Sequence, residues 1–192
     1  ECPSQTRTAS ETEKTVTFAA TVPSCGLAVF DVREAEYNYT EETGLVLSEN
    51  CLENKFVKVT IDKNGDIASI YDKALEKELL KAPVRLSVLN NTHSFDWPAW
   101  EIKYEDCKEA PYMYAGSPVV RIRDNGPALI SLEITKEAGK SRFTQIVSLD
   151  ADSRFVSVYN ETDWREEAAL LKAEFCFTAE NENANYDIGT GY

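Results

Sequence analysis

The constraint that most limits this chain is a two-residue period in its apolar positions, repeated along the sequence with turn signals between the repeats. Val57, Val59 and Ile61 alternate with Lys58, Thr60 and Asp62, and Ile130, Leu132 and Ile134 alternate with Ser131, Glu133 and Thr135. In a β-strand successive side chains point to opposite faces, so such runs place one face in a core and one in water. Asn64-Gly65 offers the two positive-φ positions of a type I′ hairpin between 57–61 and 67–71. Gly126-Pro127 marks a turn after the β-rich Val119-Val120-Arg121-Ile122-Arg123. Runs at 143–149 and 155–159 flank the polar turn Asp150-Ala151-Asp152-Ser153. The pattern predicts an all-β, many-stranded antiparallel sandwich.

Three segments need arbitration. Residues 162–177 suit a helix by the cap-like Thr162-Asp163 and the run 168–172, but Leu171, Ala173, Phe175 and Phe177 alternate strictly, and Phe-Cys-Phe is a poor helix end. The strand is the reading adopted; it sends Glu166 and Glu167 to opposite faces, where they cannot serve one site. Residues 72–81, with Leu75, Leu79 and Leu80, read as a helix or a turn. The polar start ECPSQTRTASETEK reads as a loop, followed by strands at 16–18 and 27–32 bent at Pro23 and Gly26. Apolar alternation lapses between Arg33 and Glu49, which predicts a boundary: 1–44 as the last strands of a preceding small β-domain with its linker, and 45–192 as the first part of a larger sandwich.

Charge narrows the partners. Lys and Arg number 20 against 33 Asp and Glu, a formal net charge of −13. That balance repels phosphate backbones and anionic lipid, so neither nucleic acid nor membrane is expected as a partner. No basic-then-apolar leader and no membrane-length apolar run is visible. Cys2, Cys25, Cys51, Cys107 and Cys176 are widely spread with no CxxC pair, which reads as reduced thiols and a cytoplasmic setting. Asn38 and Asn160 open formal glycosylation triplets that arise often by chance.

His93 is the only histidine, in a polar Asn-Asn-Thr-His-Ser loop, and reads as solvated. No multi-histidine metal site, phosphate loop, GxSxG elbow or HExxH is present. A pair of carboxylates can always be found among 33, so proximity in sequence singles out none of them. Phe95-Asp96-Trp97-Pro98-Ala99-Trp100-Glu101-Ile102 stands apart, with two of the three tryptophans around a proline. Such aromatics stack on the C–H face of a pyranose while neighbouring carboxylates meet its hydroxyls, or they pack in a core or domain interface. Spacing leaves both open.

Several motifs, in order, resemble one family. Val22-Pro23-Ser24-Cys25-Gly26 with Ala28-Val29-Phe30, Leu52-Glu53-Asn54, and Gly65-Asp66-Ile67-Ala68-Ser69-Ile70-Tyr71-Asp72-Lys73 with Glu78-Leu79-Leu80 are similar to the non-catalytic β region of glycoside hydrolase family 38 α-mannosidases. The tryptophan stretch, Gly126-Pro127, Asp152-Ser153-Arg154, and Thr162-Asp163-Trp164-Arg165-Glu166 with Leu170-Leu171-Lys172 continue the series across 16–192. The resemblance implies a galactose-mutarotase-like supersandwich, cut from a parent that also carries a catalytic α/β barrel, a helical bundle and further β strands. It implies a retaining mechanism with an aspartate nucleophile and zinc, all on the barrel, so that this chain holds no catalytic residue and no metal ligand, and it implies a mannose-containing oligosaccharide as substrate and association into a homo-oligomer. It also implies that an aromatic residue of the sandwich approaches the substrate. Trp100 is the best match, with Trp97 and Asp96 beside it. The Asp163-Trp164-Arg165-Glu166 cluster reads as a structural tie. A free-standing carbohydrate-binding module is the alternative. An aldose mutarotase is disfavoured, because its chemistry needs an acid and a base in one cleft.

Overall fold

A computed structural model describes residues 2–8, 10–34, 39, 42–183, 185 and 189. The described residues form β1 (Ser4–Thr8), β2 (Lys14–Phe18), β3 (Val46–Ser48), β4 (Cys51–Glu53), β5 (Val57–Ile61), β6 (Ile67–Asp72), β7 (Lys77–Glu78) and β8 (Leu80–Asn90). They continue with the single helical turn α1 (Tyr104–Lys108), β9 (Met113–Tyr114), β10 (Gly116–Asn125), β11 (Leu129–Ala138), β12 (Ser141–Asp150), β13 (Ser157–Asp163) and β14 (Ala169–Phe177). β1 and β2 pair alone, β10-β11-β12-β13 make a second sheet, and β14-β8-β6-β5-β4-β3 a third, with β7 on β6 and β9 on β8. The ladders are antiparallel throughout. Among the described residues no helix is long and apolar enough to cross a membrane.

The two larger sheets face each other across one core. Leu52, Val57, Val59, Ile61, Ile67, Leu80 and Val84 from one side meet Ile130, Leu132, Ile134, Val147 and Leu149 from the other. The alternating runs read from the sequence thus supply the inward faces, and the sandwich is observed. A smaller cluster of Leu86, Val88, Ala115, Ala138 and Phe143 continues it beneath Trp164 and Leu171.

Two buried polar devices join the layers. Asn54, fully buried, donates from Nδ2 to the carbonyls of Asp150 (2.9 Å) and Ser153 (2.7 Å) and accepts from the amides of Phe56 (2.8 Å) and Val57 (2.9 Å). One side chain therefore closes the β4–β5 turn and holds the β12–β13 connection. Asp66, also buried, pairs with Lys136 Nζ at 2.8 Å and Arg85 Nε at 3.1 Å. Lys136 itself is buried and follows Ile130, Leu132 and Ile134 on the inward face of β11.

Local expectations are corrected in several places. The 57–71 hairpin forms, but its turn is wider than two residues: Gly65 is left-handed (φ 72°) while Asn64 is not, and Asp62 Oδ1 accepts the amides of Asn64 and Asp66. Residues 72–81 are not helical. Asp72 Oδ1 binds the amides of Ala74 and Leu75, Glu76 is left-handed (φ 50°), and Glu78 Oε1 accepts the amides of Ile70 and Leu80. Side-chain acceptors that compete with the backbone stop a helix here. Burial alone would raise the Glu78 pKa, but its bonds from Ser69, Leu80 and Ile70 outweigh that and hold it low.

The polar start is not a loop throughout. β1 pairs with β2, and Gln5 exchanges hydrogen bonds with Ala128 and Leu129 beyond the Gly126-Pro127 turn. The strand expected at 27–32 is absent, with Leu27 and Val29 almost fully exposed and no strand alongside. β13 begins at Ser157 rather than 155, leaving Phe155 exposed. Residues 169–177 are a strand, whereas Glu166 and Glu167 lie in the connection before it. The five cysteines are unpaired. Asn160 lies on β13 and accepts from Gln145, while Asn38 and much of 185–189 fall outside the described residues.

Replacing Asn54 with Ala leaves two buried amides and two carbonyls without their partner. Urea unfolding is expected to show a loss of about 2 to 4 kcal/mol, against no more than about 0.5 kcal/mol for Asn160→Ala on the exposed β13 surface.

Candidate functional site

β8 ends at Asn90 and the chain does not return until β9, whose Met113 and Tyr114 pair with Val88 and Ser87. Residues 91–112 therefore form an excursion closed at its base, where the Tyr112 amide donates to the Val88 carbonyl at 3.0 Å. Nearly all of its large side chains point to water. Phe95 is 87% exposed, Trp97 57% and Trp100 77%.

The loop is held by a carboxylate. Asp106, buried on the short helix α1, accepts the amides of Thr92 (3.0 Å) and His93 (3.3 Å), and its Oδ1 lies 2.7 Å from His93 Nδ1. The hydrogen bond to Asp106 raises the His93 pKa above its ordinary 6.5, and Glu109 and Glu105 act in the same direction. The same bond, helped by the two amides, holds Asp106 below its ordinary 3.8. His93 is exposed, as its polar neighbours suggest, and it also latches the loop through Asp106. A second tie is Glu101, whose pKa is lowered first by Lys103 (2.6 Å) and then by Ser94 Oγ (3.0 Å). Asn91 Nδ2 donates to the Pro98 carbonyl at 2.9 Å.

Within this frame the tryptophans stack on each other, with ring centroids 5.4 Å apart and planes 16° from parallel. The Trp100 and Glu101 amides both bond to the Trp97 carbonyl, so Pro98 and Ala99 form a tight turn that brings the rings together. Each ring uses one face on its neighbour and presents the other outward. Asp96 is exposed beside them and its charge reaches Lys103. The fold thus brings Trp97, Trp100 and Asp96 together on one loop, while Glu101 is occupied.

The acidic and aromatic residues of 163–166 are committed to structure. Arg165 forks onto Asp163 (2.8 Å at its closest), Trp164 packs on Phe143 at 6.4 Å, and Glu166 Oε1 accepts the Lys140 amide and the Ser141 hydroxyl across the β11–β12 turn. A crevice of about 130 Å³ between the sheets is lined by Arg85, Gln145, Asn160, Ala173 and Phe175 among others, and a shallow groove runs between Asn50 and Arg121. Neither is lined by Trp97 or Trp100. Among the described residues no group of three or more His, Cys, Asp and Glu could hold a metal ion, so the donor set of the zinc site implied by the resemblance does not fit here.

The described residues thus form an antiparallel sandwich with a projecting aromatic loop tied by buried polar groups. The model of the family described as glycosyl hydrolases family 38 C-terminal domain matches residues 52–192, and the chain belongs to that family. Alpha-mannosidase G of Dictyostelium discoideum is 25% identical over 150 residues, which cover 73% of this chain. The same stretch spans only 14% of that relative's length.

The paired shifts give the loop a pH window. The protonated His93 supports it fully below pH 6.5, and that support is lost as pH rises through the raised value; ionised Asp106 contributes above 3.8 and is lost as pH falls through the lowered one. After correction for intrinsic rates, exchange of the Thr92 and His93 amides is expected to be slowest between those limits and to quicken as pH rises through the raised His93 value. His93→Gln should flatten the alkaline limb, and an alkaline limb identical in His93→Gln and the parent contradicts the latch.

Proposed function

We propose that this chain is the β-sandwich portion of a retaining, metal-dependent α-mannosidase that hydrolyses terminal α-mannosides of oligosaccharides, with 1–44 closing a preceding small β-domain and 45–192 opening the large sandwich. It supplies scaffold and one substrate-facing wall. The carboxylates and zinc of the reaction belong to a catalytic domain outside these residues. A retaining glycosidase needs two carboxyl groups about 5 Å apart across the scissile bond. Zinc, in the parent, is expected to supply positive charge that orients the sugar oxygens.

The observation that carries this reading is the exposed Trp97–Trp100 stack on an anchored loop. Trp100 presents its outer face to the apolar side of a mannose ring, Trp97 buttresses it from behind, and Asp96 is placed to accept from a sugar hydroxyl. Stacking of this kind contributes about 1 kcal/mol beyond area burial. The same exposure supports a second reading, a module that binds the sugar unaided.

In the full-length enzyme, Trp100→Ala is expected to lower kcat/KM on an α-mannoside about tenfold with thermal unfolding unchanged, Trp100→Phe to recover most of it, and Trp97→Ala to fall between. Full activity in a normally folded Trp100→Ala enzyme contradicts the wall. Titrating mannose oligosaccharides into this chain alone separates the two readings: a saturable tryptophan fluorescence change that Trp100→Ala abolishes favours the free-standing module.

A further inference from the structure

Of residues 91–112 only Ser94 and Asp106 are buried, and both are polar. Neither Trp97 nor Trp100 joins an apolar core cluster, so packing against the sandwich does not fix where the stacked rings stand. A segment with so few buried apolar contacts opens easily unless other contacts hold it. The position of the stack has to come from polar contacts inside the excursion.

Those contacts converge on one residue. Asp106 binds the Thr92 and His93 amides and the His93 ring, which fixes the backbone of 92–93 against α1. The residues on either side of that gripped pair are the ones that reach the tryptophan turn. Asn91 Nδ2 donates to the carbonyl of Pro98, next to Trp97, and Ser94 Oγ donates to Glu101, next to Trp100. Asn91 is also pinned from behind, its amide donating to the Ala168 carbonyl at 2.8 Å just before β14. Lys103, the residue before α1, holds the other oxygen of Glu101. Both ends of the turn thus lead back, through Asn91 and Ser94 on one side and Lys103 on the other, to the two segments that Asp106 clamps together. All of these contacts lie between residues 91 and 168 and need no other part of a larger protein.

We infer that Asp106 is a positioning residue for the sugar-facing tryptophans: by clamping 92–93 to α1 it orients Asn91 and Ser94, which in turn set the Trp97–Trp100 stack. The inference rests on the substrate-facing role proposed for Trp100, and names a residue that does not touch the sugar but through which that role is exercised. A misplacement of about 1 Å is enough to impair a group that must meet a substrate in one geometry.

Two readouts separate the positioning from the role. Proton NMR of the 192-residue chain follows the stack itself, because stacked indoles shift each other's protons upfield and give inter-ring NOEs, which Trp100→Phe assigns. Asp106→Ala should abolish the Trp97–Trp100 NOEs and the upfield shifts, while the cross-strand NOEs of the β11–β12 ladder persist. Asn91→Ala combined with Ser94→Ala, which leaves Asp106 on its two amides, should do the same. Circular dichroism and thermal unfolding establish that each variant is folded. A folded Asp106→Ala chain that keeps the stack overturns the inference, and so does a folded double variant that keeps it.

In the full-length enzyme, Asp106→Ala should lower kcat/KM on an α-mannoside about tenfold, in the same parameter, KM or kcat, as Trp100→Ala, and should cost nothing further in a Trp100→Ala background. A merely structural role would instead lower thermal stability and add its loss to that of Trp100→Ala. Additive losses overturn the inference, as does full activity of Asp106→Ala beside an impaired Trp100→Ala. If Asp106→Ala loses the stack while both variants turn over substrate as the parent does, the positioning stands and the sugar-facing role falls.

Discussion

The sandwich depends on one buried carboxylate. Asp66 sits at the foot of the β5–β6 turn and is the counter-ion of both Lys136, inward on β11, and Arg85, on β8. A charged lysine buried without a partner is costly, and a buried pair broken on one side costs about 3 to 5 kcal/mol. The three charges are satisfied together only when the turn and both sheets are in register. Gly65 next to Asp66 adds a steric requirement, since a Cβ there would fall 2.7 Å from Pro118 and 3.0 Å from Ile134. Arg85 also lies over the Tyr114 ring, 3.6 Å from its centroid, at the closing end of the tryptophan loop. The contact that sets the register of the sheets thus also braces the base of the candidate site.

What the sequence revealed follows from the range over which each feature acts. The inward faces of β5 and β11 were legible because period-2 alternation is local, and the family motifs were legible because they are contiguous. Asn54 in Leu-Glu-Asn and Asp66 in Gly-Asp-Ile were visible as motif members, yet their partners at Asp150, Ser153 and Lys136 lie far along the chain. Lys136 reads as the polar end of a strand until Asp66 is brought to it. The 72–81 segment was ambiguous because its leucines fit helical spacing while the deciding contacts, from Asp72 and Glu78, are side chain to backbone. His93 is exposed, as its polar loop indicates, but nothing near it in sequence announces its bond to Asp106.

The candidate site shows the same division. Two tryptophans around a proline drew attention by composition, but only the fold shows that they stack, that the stack faces water, and that a buried Asp106 and a paired Glu101 hold the loop beneath it. The family membership places this arrangement within a glycosyl hydrolase C-terminal domain. The proposed roles, scaffold and a substrate-facing aromatic wall, rest on this arrangement.

The most direct test is to compare hydrolysis of a nitrophenyl α-mannoside by this chain and by the longer parent polypeptide, each with and without a metal chelator. The account predicts an active, chelator-sensitive parent and an inert chain. Turnover by the chain itself contradicts it, and would move the chemistry to the carboxylates around Trp97, Trp100 and Trp164.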